Sequence, residues 1–290
     1  LPIWLEGSSS SILVDISTGS QTGILDNIVC DATNALNLNV GVLVTDSNCQ
    51  LRSVSCIGFG LRGIHVRLST TTLPPYQSRR ITAIASSSIQ NGLEGFLLSN
   101  VVADVALDRC VFSNNFAQGC DFNDLWSMDN NQSRLVMTGC VMSNNGSHGL
   151  AADFSVAPAS TTAGGSFDVR VDGCVFERNA EEGMFLDQQY DGQIQWTTQM
   201  RIRDCVARAN AVGGIRINAD QPGTYLLNRL RRVAAKHTGV RVVTMKPDSQ
   251  LAALNEFGVG SGPAGAMSVT AVGTNGAKYA MPGEIGRAHV

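Results

Sequence analysis

Four stretches of this chain repeat one pattern at nearly constant intervals: a cysteine, an asparagine five residues later, a glycine nine residues on, and then alternating apolar positions. The copies run from Cys110 to Gly119, Cys140 to Gly149, Cys174 to Gly183 and Cys205 to Gly214, and their cysteines advance by 30, 34 and 31 residues. A unit of that length cannot bury an apolar face alone, so units with this period stack into a coil. The repeat therefore constrains the fold more tightly than composition does.

After each glycine, Cys120 and Phe122, Leu150 and Ala152, Met184 and Leu186, and Ile215 and Ile217 alternate with other residues. A period of two marks a strand with one buried face. A second strand precedes each cysteine, carrying Val105 and Leu107, Leu135 and Met137, Val169 and Val171, and Met200 and Ile202. Short strands without helical periodicity between them predict an all-β chain wound as a parallel β-helix, a solenoid whose equivalent positions lie about 4.8 Å apart.

Weaker copies lead from Cys30 to Gly41, Cys56 to Gly63, Ser87 to Gly95 and Val233 to Gly239. They bring the expected count to about eight coils. On this reading residues 1–19 are a partial first coil of a solenoid truncated at its N-terminus, residues 20–245 the solenoid, and 246–283 an irregular Gly- and Ala-rich extension. Residues 284–290 resemble the translation of a sequencing adapter and read as a non-native tail.

The eight cysteines show no Cys-x-x-Cys spacing and no neighbouring histidines. They do not form a zinc motif. Cys30, Cys56, Cys110, Cys140, Cys174 and Cys205 read as one buried column of small apolar thiols, which leaves the redox compartment open. The asparagine column reads as a hydrogen-bonded ladder at a turn, where asparagine tolerates left-handed backbone. A net charge of −3 with only short basic runs gives no nucleic-acid groove, and there is no apolar run long enough for a membrane span.

Chemistry is expected on the outward columns after the glycine. The position two residues on holds Leu43, His65, Leu97, Asp121, Ala151, Phe185, Arg216 and Arg241; four residues on stand Asn123, Asp153, Asp187 and Asn218 on the middle coils. Stacking makes Asp153 and Asp187 near neighbours, and two such carboxylates raise one pKa or recruit a cation. Insertions after these strands bring Trp126, Phe154, Tyr190, Trp196 and Tyr225 towards one flank. Aromatic walls over a carboxylate floor suit a sugar chain.

Over about residues 24 to 244 the repeat resembles the right-handed parallel β-helix families: pectate lyases, polygalacturonases, alginate-modifying lyases and epimerases, and phage tailspikes. His148-Gly149 and Arg216-Ile217-Asn218 resemble two polygalacturonase motifs, although the lysine that ends the second is replaced by Asn218 and no Asp-Asp pair is present. The resemblance implies an extracellular or cell-surface protein acting on an acidic polysaccharide or a cell-surface glycan. In a lyase, Asp121, Asp153 and Asp187 would hold Ca2+ and Arg216 or Arg241 would take the proton; in a hydrolase, the two close carboxylates would act as acid and base or nucleophile. Asp121, Asn123, Trp126, Tyr190, Trp196, Asn218, Tyr225 and Arg241 would bind substrate. A tailspike-like or adhesin-like stalk is the non-catalytic alternative, and a tailspike-like chain would be a homotrimer.

Overall fold

The computed structural model describes residues 3–5, 12–17, 22–34, 38–67, 79–101, 103–127, 132–156, 166–188, 197–218, 223–228, 240–245, 250–254, 270–273 and 278–280. The described secondary structure is β-strand throughout, arranged in three parallel sheets of eight, ten and ten strands. Each turn of the chain gives one strand to each sheet in order. A short strand such as Val141–Ser143 enters the first sheet, Leu150–Val156 the second, and Ser166–Asp172 the third. The next turn repeats the sequence one rung up, with Val175–Glu177, Glu182–Gln188 and Thr197–Arg203.

The expected parallel β-solenoid is therefore the observed fold. Its regular body is about five turns, fewer than the eight expected. Five corners hold the buried asparagine of the full repeat, Asn91, Asn115, Asn145, Asn179 and Asn210. Beyond them the sheets continue with strands built on partial copies.

Those asparagines form an unbroken ladder. Each side-chain Nδ2 donates to the Oδ1 of the next rung, from Asn91 to Asn115 (2.8 Å), Asn115 to Asn145 (3.1 Å), Asn145 to Asn179 (2.9 Å) and Asn179 to Asn210 (2.9 Å). The same Oδ1 atoms accept the backbone N–H of the rung below, as in Asn115 to Asn145 at 3.2 Å. The left-handed residue at this corner is the one before the ladder, contrary to expectation: Asn114, Asn144, Arg178 and Ala209 have φ between 54° and 57°. The ladder asparagine is thus selected for its amide rather than for its backbone freedom.

The repeat glycine has a steric cause. A Cβ at Gly149 would stand 2.6 Å from the Gly183 carbonyl and 2.9 Å from Asn179 Nδ2. Any side chain there would push the rungs apart or break the ladder. Glycine is the one residue that lets both close together.

The core is the stack of inward columns, with Phe96, Phe112, Phe122, Phe154, Phe167 and Phe176 fully buried. All eight cysteines are buried free thiols. Burial pushes the Cys49 thiol up to about 12 and Cys120 well above its ordinary value. The single cysteine column is corrected to two, however. Cys30 and Cys56 are Cα partners whose column continues through Ser88, Phe112, Met142 and Phe176. The residues just before the registered positions Ser55, Ser87, Val111, Val141, Val175 and Val206 are Val54, Ser86, Cys110, Cys140, Cys174 and Cys205, which form the other. Aligned in this way, Val54 to Gly63 and Ser86 to Gly95 regain the nine-residue spacing.

A second correction concerns the outer face of the second sheet. Leu43, His65 and Leu97 are 4 %, 9 % and 4 % exposed, and Val40 to Val44 are buried at every position. The sheet is covered there on both faces, which suits a continuous apolar run. The third sheet has a charged outer face instead, where Arg80 pairs with Asp104 (3.7 Å) and Asp168 with both Arg134 (3.6 Å) and Arg170 (2.7 Å).

Candidate functional site

The outer face of the second sheet opens on the later rungs. Asp121, Phe185 and Arg216 are half-buried in the column whose earlier members are covered, and Asp153, Asp187 and Asn218 are half-buried two residues further along their strands. Register brings part of the expected constellation together. Asp153 is the Cα partner of Asp187, and Asp187 of Asn218.

Side chains connect these positions into one polar chain. Asn218 Nδ2 donates to Asp187 Oδ1 at 2.9 Å, and Arg216 Nε donates to Asn218 Oδ1 at 3.3 Å. The Arg216 guanidinium lies 5.1 Å from the centroid of the Phe185 ring, and its Nη1 is 3.8 Å from Glu182 Oε1. The same ring stacks against His148, from the rung below, with centroids 5.1 Å apart and planes 25° from parallel. Phe185 thus ties an imidazole to a guanidinium, and stacking and cation–π attraction fix both.

His148 faces two carboxylates. Its Nε2 is 2.9 Å from Glu181 Oε2 and its Nδ1 is 3.3 Å from Glu182 Oε2. Glu181 Oε2 also accepts the Ser147 hydroxyl at 2.7 Å. Burial pulls the His148 imidazole below its ordinary range and Arg216 adds to this, while the two glutamates pull the other way. A neutral imidazole has one N–H for two carboxylate partners, and Nδ1 is left buried without a hydrogen bond.

The remaining expected residues fall elsewhere or outside the description. Asp121 is the Cα partner of Ala151, not of Asp153, so it sits one column away from the aspartate pair. Asn123 is exposed beside an irregularity of register between Phe122 and Leu125, and Trp126 lies on that strand rather than in a loop. Arg241 extends the Arg216 column by one rung. Tyr225 belongs to the third sheet, as the Cα partner of core residue Met200, and so lies on a different sheet from the aspartates. Phe154, expected on the same flank, is instead fully buried in the core against Phe167, and Tyr190 and Trp196 lie outside the described residues. A depression of about 740 Å³ lies on the third sheet among Asn48, Gln50, Arg80, Asp104 and Arg134, and so belongs to the charge ladder.

Glu181, Glu182 and the bridging role of Phe185 were missed in the sequence. Aligning the repeat glycines puts His148 and Glu182 in the same column, each one residue before its glycine, and that signal was available. Comparison with family models, with curated proteins and with solved structures gives no match to this chain.

Proposed function

We propose that the chain is a carbohydrate-active β-solenoid that binds an acidic polysaccharide along the open face of its second sheet and cleaves it there. The observation that carries this reading is the stacking of Asp153 on Asp187 beside a guanidinium that Asn218 links to the same carboxylate. Arg216, 40 % exposed, can meet a uronate carboxylate, and the Phe185 edge offers apolar surface to a sugar ring. Of the two carboxyl groups, one held as the acid would protonate the leaving glycosidic oxygen while the other assists as base or nucleophile.

The lyase version asks for Ca2+ held by Asp121, Asp153 and Asp187. These residues do not fit that role as a set, because Asp121 is out of column and Asp187 already accepts from Asn218. No step is drawn through the ion. Two observations favour the non-catalytic reading, a glycan-binding stalk: Asp187 is engaged by Asn218, and Arg216 by Glu182 and Phe185.

The test is to incubate the full chain with polygalacturonate and with alginate, following retention on the polymer, new reducing ends and the ultraviolet absorbance of unsaturated products. Cleavage that falls about 100-fold or more in Asp187→Asn and Arg216→Gln, but persists in Asp104→Asn on the third sheet, supports the proposal. Absorbing products would mark elimination, and reducing ends without them hydrolysis. Retention without cleavage selects the stalk, and no retention on either polymer contradicts both.

A further inference from the structure

Among the described residues, one group of three potential metal ligands converges, and it is not the aspartate set: one donor atom from each of His148, Glu181 and Glu182 lies within 4.8 Å of the others. We propose that His148 Nδ1 and Glu182 Oε2 bind a divalent transition-metal ion of the zinc class, with Glu181 orienting the imidazole and water completing the coordination, next to the glycan face but chemically independent of it.

Three features point to a ligand. The first is the nitrogen: Nδ1 of His148 is buried, makes no hydrogen bond and faces Glu182 Oε2 across 3.3 Å. Two acceptors held this close with no proton between them repel, and a cation between them turns the repulsion into two bonds. The second is Glu182, whose side chain is only 10 % exposed; a carboxylate so far from water needs compensating positive charge. Arg216 approaches its other oxygen, Oε1, no closer than 3.8 Å, which leaves Oε2 to the ion.

The third feature is how the imidazole is held. Glu181 Oε2 at 2.9 Å from Nε2 places the ring proton on that nitrogen and leaves the Nδ1 lone pair for the metal, the arrangement in which a carboxylate orients a metal-binding histidine. Stacking on Phe185 fixes the ring plane. An imidazole nitrogen beside a carboxylate suits Zn2+ and its neighbours in the series better than Ca2+, which takes six to eight oxygens.

The experiment is titration of the purified, metal-stripped full chain with Zn2+ against a chromogenic chelator, with no polymer present, so that its outcome is separate from that of the glycan reading. One ion per chain is expected, with affinity falling about tenfold or more in Glu182→Gln and in His148→Asn, while Asp187→Asn binds as the unaltered chain does. Excess Ca2+ should not displace the ion. Circular dichroism on each variant separates lost binding from lost folding, and visible absorption from bound Co2+ that disappears in Glu182→Gln provides a second readout. Zn2+ binding unchanged by both substitutions, or no stoichiometric binding by the folded chain, would overturn the site.

Discussion

His65 carries the clearest electrostatic consequence at the scale of one residue. Burial, with Arg62 and Arg67 adding to it, lowers its pKa to about 4 from an ordinary 6.5. Its Nε2 lies 3.4 Å from the Ser99 hydroxyl, a neutral partner that does not hold the charged form. The unfolded chain therefore takes up a proton between pH 6.5 and about 4 that the folded chain refuses. Stability is complete above that window and falls with pH through it, by about 1.4 kcal/mol per pH unit and about 3 kcal/mol in all. Urea unfolding across this range should show that slope in the unaltered chain and a shallower one in His65→Leu. Equal slopes would mean that His65 is not held neutral. The sequence placed this residue on an outward column, and the column was right; that the column is buried on the early rungs is not legible from periodicity, because alternation gives the face of a side chain and not what lies over that face.

Among the elements, the corner between the first and second sheets separates two adjacent asparagines by role. Asn145 is buried and bonds to both neighbouring rungs, and its Nδ2 also donates to the Phe112 carbonyl at 3.1 Å; Asn144 is exposed at φ 55°. Removing the Asn145 amide strands donors on Asn115 and the carbonyl of Phe112 inside the corner. Asn145→Ala should cost about 3 kcal/mol, whereas Asn144→Gly should stay within about 1 kcal/mol of the unaltered chain, since glycine takes the left-handed geometry freely. Chemical denaturation of both variants checks this, and a reversed order would contradict the ladder. The cysteine columns show the limit of reading such elements from sequence. A slip of two residues keeps every side chain on its original face, so Cys30 and Cys56 look correctly placed in an alignment that is two residues out. Only the register to Ser88 and Phe112 reveals the slip.

For the whole molecule, stacking converts separation along the chain into adjacency across rungs. Asp153 and Asp187, and His148 and Glu182, are each 34 residues apart in sequence and one rung apart in space. The first pair was legible because both members sit on strands whose alternation can be counted. The second could be paired only by aligning the repeat glycines, since His148 lies just before its strand, where no alternation announces a direction. Tyr225, expected on the flank of the aspartates, instead belongs to the third sheet as the partner of Met200, because the insertion before it is short.

The stacking itself is the central claim, and intrachain cross-linking measures it directly. Cysteines introduced together at Asp153 and Asp187 occupy partner positions on one outer face, within the Cα separation that a disulfide spans. Under mild oxidation the account predicts an intrachain bond in Asp153→Cys/Asp187→Cys and none in Asp153→Cys/Asn218→Cys, whose members stand two rungs apart. Efficient closure of the second pair in place of the first would contradict it.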